Sequence, residues 1–103
     1  MSFNISVNNQ DRREVLVNLE GKLFVEDAAL LRKELNDLID DGHSQFTIDM
    51  QKANYIDSSG LGVLVAIHKK AVNLGGGVVI KGLHGAIKNL FQMTRLNKVF
   101  EII

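Results

Sequence analysis

A short segment rich in hydroxyl, carboxylate and glycine residues lies between a predicted strand and a long apolar helix. Its members are Asp57, Ser58, Ser59, Gly60, Leu61 and Gly62. The first backbone N–H groups of a helix have no partner within the helix, and together they carry about half a positive charge. A phosphoryl group, bound or attached to a serine, is favoured at such a position. The segment therefore predicts a phosphorylation site that another protein approaches.

The two glycines in the first turn of this helix need an explanation, because each costs roughly 1 kcal/mol relative to alanine. We interpret Gly60 and Gly62 as positions where something approaches the backbone closely. The simpler interpretation is structural: a serine hydroxyl caps the helix by accepting a backbone N–H, and Asp57 supports it. The segment by itself leaves both interpretations open.

Phosphorylation of a serine beside Asp57 would set two effects against each other. The carboxylate repels the roughly −1.5 to −2 added charges, while the helix dipole offsets about 0.3–1 kcal/mol of that repulsion. Because the two effects are comparable, we expect the fold to survive the modification. The change then falls on the surface, which becomes strongly anionic for any partner that docks there.

Apolar residues surround the first two turns of this helix, and few polar positions remain from Leu61 to Ile67. Such a helix is either sandwiched between layers of the fold or exposes an apolar patch to a partner. The sequence favours neither alternative over the other.

Apolar patterning predicts the elements that position the segment. Strands are predicted at 3–7, 15–19, 46–50, 78–81 and 99–103, with a turn at 8–13 and a loop at 51–57. Helices are predicted from Glu26 to a stop at Gly42, at 58–74 and at 84–94. Alternating strands and helices favour right-handed crossovers between parallel strands. The predicted class is α/β: a mostly parallel mixed sheet of four to five strands, an N-terminal antiparallel hairpin and three helices.

Length and composition limit the alternatives. A chain of 103 residues, 46% hydrophobic and 23% charged, fits one domain over residues 1–103. Its 12 basic and 12 acidic residues balance, which argues against a nucleic-acid or anionic membrane partner. It has no cysteine, no apparent signal peptide and no apolar run long enough for a membrane span. We therefore expect a cytoplasmic protein.

The other candidate sites are weak. His43, His68 and His84 share no metal-ligand spacing, and His68 on an apolar helix face is expected to be packed and hydrogen-bonded. The serines lack the Gly-x-Ser-x-Gly pattern of a hydrolase nucleophile. The glycines at 75–77 follow a helix and precede a strand, so they are interpreted as a flexible C-cap instead of a phosphate loop. We expect no enzyme activity, no cofactor and no metal.

Residues 55–64, Tyr-Ile-Asp-Ser-Ser-Gly-Leu-Gly-Val-Leu, resemble the signature of the STAS domain, specifically of bacterial anti-sigma factor antagonists. The similarity covers nearly the whole chain. It includes the segments Leu19–Leu23, Ile48–Met50, Gly75–Gly76 and Leu90–Leu96.

The resemblance implies a function for the serine segment. Ser58 would be phosphorylated by a partner that is both anti-sigma factor and serine kinase. Unmodified, the protein would bind that partner and release a sigma factor; a metal-dependent serine phosphatase would restore this state. The implied docking surface consists of Asp57, Ser58, Ser59, Gly60, Leu61, Gly62 and Phe24. The free protein is expected to be a monomer.

The sequence departs from the family pattern in the turn after the second strand, where Gly21-Lys22-Leu23-Phe24 replaces the usual form Gly-Glu-Leu-Asp. Arg95 also stands where a glycine is frequent, and the family's usual last helix is not present before Ile103. Two other functions remain open. The first is a constitutive, unphosphorylated STAS subunit of a transport or signalling assembly. The second is a small nucleotide-binding or nucleotide-hydrolysing protein that uses the same helix N-terminus.

Overall fold

The computed structural model describes residues 3–7 and 14–103. Within these ranges the chain forms five strands, three α-helices and a short 3-10 turn. In chain order they are β1 (Phe3–Val7), β2 (Glu14–Leu23), α1 (Val25–Asp40), β3 (Gln45–Ile56), α2 (Ser58–Asn73), β4 (Gly77–Lys81), α3 (Gly85–Met93), the 3-10 turn (Leu96–Lys98) and β5 (Glu101–Ile102). The turn predicted at 8–13 lies outside the described residues.

The strands form one sheet in the order β1-β2-β3-β4-β5. Strands β1 and β2 are antiparallel, and every later neighbour is parallel. From β2 to β5, each strand is added on the same side of the strand before it. Right-handed crossover connections therefore place all three helices on one face of the sheet. The predicted α/β class, with its N-terminal hairpin and mostly parallel sheet, is confirmed.

The covered face of the sheet holds the core. Along β2 and the first half of β3, buried residues alternate with half-buried ones, so one face packs under the helices and the other remains accessible. The fully buried strand residues include Val15, Val17, Phe46 and Ile48. They pack with Leu31 and Leu35 of α1, Leu64 and Ile67 of α2, and Phe91 of α3. Burial of this apolar area is the main stabilising contribution.

Strand β3 is longer than predicted. The prediction of a loop at 51–57 is wrong, because β3 continues to Ile56. Its added residues pair with β2, which itself extends through Gly21 to Leu23. Register shifts accompany this extension, and burial recurs at Met50, Ala53 and Ile56 instead of alternating. Apolar and polar residues therefore stop alternating in the sequence at the point where the pairing of β3 with β2 becomes irregular. The paired residues 20–23 and 52–56, here called the β2–β3 ribbon, project beyond the end of β4.

Two further boundaries differ from the sequence prediction. The last strand is only Glu101–Ile102, because the 3-10 turn Leu96–Lys98 occupies the preceding residues. The glycines at 75–77 cap α2 as predicted: Gly75 is left-handed, with φ of +88°, and its N–H and that of Gly76 bond to carbonyls in the last turn of the helix. Gly77 begins β4, one residue before the predicted strand. A Cβ on Gly76 would collide with the Ser44 carbonyl, so close packing fixes this turn.

Candidate functional site

The serine segment lies where two helices begin side by side. Leu23 at the end of β2 pairs with Ile56 at the end of β3, and both strands run in the same direction. The residues that follow, Phe24 and Asp57, are the N-caps of α1 and α2. The C-terminal edge of a parallel sheet, where ligands commonly bind in α/β folds, therefore presents two neighbouring helix N-termini.

Asp57 caps α2. Its Oδ1 atom accepts a hydrogen bond from the Gly60 backbone N–H at 3.1 Å. The alternative in which a serine caps the helix is therefore wrong, and the cap is made by Asp57, which that alternative gave only a supporting role. Ser58 is exposed and Ser59 is half-buried. Ser58 is thus an exposed residue at the N-terminus of α2, and the capping hydrogen bond of that helix is made by Asp57 and not by Ser58.

The two glycines of the first turn have different explanations. Gly60 is buried, and a Cβ there would lie 2.6 Å from Cγ1 of Ile56 and 2.9 Å from Cδ2 of Leu23. Packing of α2 against the β2–β3 ribbon excludes a side chain at this position. For Gly60 the interpretation as a point of partner approach is therefore wrong. Gly62 is exposed, and a Cβ added to it would meet no atom within 4 Å, so packing does not require glycine there.

The large apolar residues in the first turns of α2 mostly face inward. Leu61 is only 9% exposed, and Val63, Leu64 and Ile67 are buried. The helix is therefore a layer over the sheet, and the alternative of an exposed apolar patch in its first two turns is wrong. Ser58, Gly62 and Ala66 are the exposed residues at successive turns of this helix. Leu61 and Gly60 support the predicted docking surface from beneath instead of lining it.

An aromatic pair lies beside the serine segment. Phe24 and Tyr55 are 48% and 44% exposed, and their ring centroids are 5.6 Å apart. The sequence singles out Phe24 as a departure from the STAS pattern that the chain resembles, but gives no reason to single out Tyr55. Only the register of β2 against β3, in which Tyr55 is paired with Lys22, brings the two rings together.

His68 is a structural residue, as predicted. Its Nδ1 atom accepts the Val78 backbone N–H at 3.0 Å, and its ring centroid lies 5.2 Å from that of Phe100. Burial lowers the pKa of His68, because desolvation penalises the charged imidazolium. Over residues 3–7 and 14–103, no cluster of three or more potential metal ligands is present. No helix in the described part of the chain is long and apolar enough to span a membrane.

Comparison with known families and curated proteins gives consistent matches. The STAS domain family matches residues 4–103. The chain is 31% identical over 102 residues to the "Anti-sigma-B factor antagonist" of Bacillus subtilis, and the match covers 99% of this chain and 92% of that protein. It is 26% identical over 102 residues to the protein of the same name from Listeria monocytogenes, covering 99% and 90%.

Solved structures share the fold. Unphosphorylated SpoIIAA, an anti-sigma factor antagonist, matches with a TM-score of 0.82 at 17% identity, covering 98% of this chain and 86% of that one. The phosphorylated form of the Bacillus protein SpoIIAA matches with a TM-score of 0.77 at 17% identity, covering 97% and 91%. An anti-sigma factor antagonist from Mycobacterium paratuberculosis has a TM-score of 0.80 at 22% identity, covering 98% and 85%.

Proposed function

Since the chain belongs to the STAS domain family, we propose that it is an anti-sigma factor antagonist switched by phosphorylation of Ser58. Unmodified, it binds an anti-sigma factor that is also a serine kinase, and a sigma factor is released. Phosphorylated, it no longer binds, and a metal-dependent serine phosphatase restores the binding form. The names of its curated relatives and the two forms in which SpoIIAA has been solved support this proposal.

The observation that carries the proposal is the division of roles between Asp57 and Ser58. The Asp57 carboxylate makes the cap bond to Gly60, while Ser58 is exposed. A kinase can therefore phosphorylate the Ser58 hydroxyl without removing the cap of α2. The fold keeps its helix start in both forms of the switch.

Charge then accounts for the change in binding. A phosphoryl group adds about −1.5 to −2 charges and three acceptor oxygens at pH 7. The α2 N-terminus stabilises this charge in part, but Asp57 lies next to it in the chain. A partner surface that fits a neutral hydroxyl would have to desolvate the phosphate on docking, which is costly without a paired cation.

The docking surface follows from exposure. Phe24, Ser58 and Gly62 are exposed, and Asp57 and Ser59 are half-buried between them. These five residues are the proposed contacts with the anti-sigma factor, and Gly60 and Leu61 hold the surface in place from within. The protein supplies an acceptor hydroxyl and a binding surface and catalyses no reaction itself. We place its action in the cytoplasm, where sigma factors work, with the free protein a monomer.

The test uses purified anti-sigma factor kinases from the source organism, each incubated with the full chain and ATP. We expect one of them to add a single phosphate, located on Ser58 by mass spectrometry. Ser58→Asp should weaken binding to that kinase by at least tenfold, and Ser58→Ala should bind like wild type. Ser59→Ala is the matched control and should still be phosphorylated.

Two results would count against the switch. Wild-type binding by Ser58→Asp would mean that charge at this position does not control docking. A Ser58 that is unmodified in protein isolated from its native cells, under conditions that activate and inactivate the pathway, would favour the constitutive subunit instead.

A further inference from the structure

The N-cap of α1 is an unfavourable residue for its position. Ser, Thr, Asp and Asn stabilise a helix there because their oxygens accept a backbone N–H, and a phenylalanine ring cannot. Phe24 occupies this position and makes no side-chain cap bond. The Asp27 carboxylate compensates in part, since it accepts the Phe24 backbone N–H at 3.1 Å. The chain thus gives up a cap and exposes an aromatic ring at 48% of its surface.

The exposed ring is part of a larger apolar feature. Tyr55 packs against Phe24 with a centroid separation of 5.6 Å and an angle of 43° between the rings. Tyr55 also lines a cavity of about 210 Å³ between the end of β3 and α3. The other residues lining this cavity, here called the α3 groove, are Asn54, Ile56, Ala86, Ile87 and Leu90.

The aromatic pair and the α3 groove adjoin the proposed docking surface. Tyr55 and Ile56 are followed directly by Asp57 and Ser58, and Phe24 is already one of the proposed contacts. The lining contributed by the described residues contains no charged residue, and the lining residues with polar side chains are Asn54 and Tyr55. A charged group entering the groove would lose hydration without gaining a counter-charge, whereas an apolar side chain would gain from burial.

We propose that the Phe24–Tyr55 pair and the α3 groove form a second anchor for the partner that docks at Ser58, receiving an aliphatic or aromatic side chain of that partner. This inference rests on the proposed function and adds the chemistry by which the partner is selected. Exposed aromatic rings next to an apolar pocket are typical of the residues that dominate binding energy at interfaces. A volume of about 210 Å³ suits one inserted side chain instead of the extended contact that a stable dimer of this chain would need.

The experiment measures binding of unphosphorylated protein to the kinase that modifies Ser58, by isothermal titration calorimetry. Phe24→Asp removes the ring, and Ala86→Arg places a long charged side chain at the exposed rim of the groove. Each should weaken binding about tenfold or more while Ser58 remains unmodified. Met93→Ala is the control, because Met93 is 83% exposed at the far end of α3, and it should bind within twofold of wild type.

A second measurement does not depend on the partner. Phe24→Asp introduces a favourable N-cap, so its thermal midpoint should rise above that of wild type. A lowered midpoint would show that the ring is retained for the fold and would overturn the inference. So would unchanged binding by Phe24→Asp and Ala86→Arg, or a concentration-dependent dimer in sedimentation that Ala86→Arg abolishes. The switch at Ser58 would stand in these cases, because it is tested separately by the binding of Ser58→Asp and by the phosphorylation state of Ser58 in native cells.

Discussion

The Asp57 carboxylate accepts the backbone N–H of Gly60 at 3.1 Å, and Ser58 lies on the surface between them in sequence. The two adjacent residues therefore have separate tasks, one holding the helix start and the other available to a partner. Stability and binding at this site should accordingly respond to different substitutions.

Replacing the capping residue should destabilise the protein. Asp57→Ala removes the acceptor for the Gly60 N–H, and we expect the free energy of unfolding to fall by about 1 kcal/mol in urea denaturation. Asp57→Asn keeps an acceptor oxygen, so its free energy of unfolding should fall by less than that of Asp57→Ala. Ser58→Ala is the matched control and should stay within about 0.5 kcal/mol of wild type. An equal loss in Ser58→Ala would contradict the assignment of the cap.

The two glycines of the first turn should respond in opposite directions to alanine. Gly60→Ala forces a Cβ to 2.6 Å from the Ile56 side chain, and overpacking of this kind costs roughly 1–3 kcal/mol. Gly62→Ala meets no atom within 4 Å and should stabilise the helix by about 0.5–1 kcal/mol. Thermal denaturation of both variants measures the difference. A stabilised Gly60→Ala would mean that α2 does not pack on the ribbon as described.

Arg95 is expected to destabilise its turn. It is the non-glycine residue with a left-handed backbone among the described residues, with φ of +60° and ψ of +19°. A side chain in this conformation costs roughly 1–2 kcal/mol, which is a physical reason for the glycine that the STAS resemblance leads us to expect at this position. Arg95→Gly should therefore raise the free energy of unfolding by about 1 kcal/mol. Arg95→Ala keeps a side chain in the left-handed conformation, so its free energy of unfolding should not rise in this way. An equal rise in Arg95→Ala would mean that the arginine side chain, and not the backbone conformation, is destabilising.

His68 should make stability depend on pH. Burial lowers its pKa below the ordinary value of about 6.5, so below that pH the unfolded chain binds a proton that the folded chain does not. Protonation of Nδ1 would also remove the acceptor for the Val78 N–H. Stability should thus be complete above pH 6.5 and decline as the pH falls toward the lowered pKa. His68→Gln should flatten this part of the profile measured by urea denaturation, and an unchanged slope would exclude His68 as its source.

Sequence alone predicts the elements and the family well, because both depend on local patterns. The apolar stripe of α1, the left-handed Gly42 that follows it and the signature at 55–64 each involve a few neighbouring residues. The STAS resemblance is confirmed by the match over residues 4–103. Exposure of Ser58 agrees with the site predicted there.

The sequence-based predictions fail where distant residues decide the outcome. Gly60 resembles a point of approach because its neighbours Leu23 and Ile56 come together only through strand register. The contact between Tyr55 and Phe24 is not predicted for the same reason, since the residues next to Tyr55 in the sequence do not indicate it. The loop expected at residues 51–57 is mostly strand, and its irregular pairing with β2 hides the alternation that would predict one.

The aspartate cap has one further consequence for the proposed switch. Because this helix does not need the Ser58 hydroxyl for its own start, we expect it to keep the same backbone before and after a phosphate is attached. Phosphorylation and dephosphorylation of Ser58 would then require no refolding. Each form would persist until the proposed kinase or phosphatase acts on it. If Ser58 is switched as proposed, the duration of the signal is set by those two enzymes and not by a conformational change of this domain.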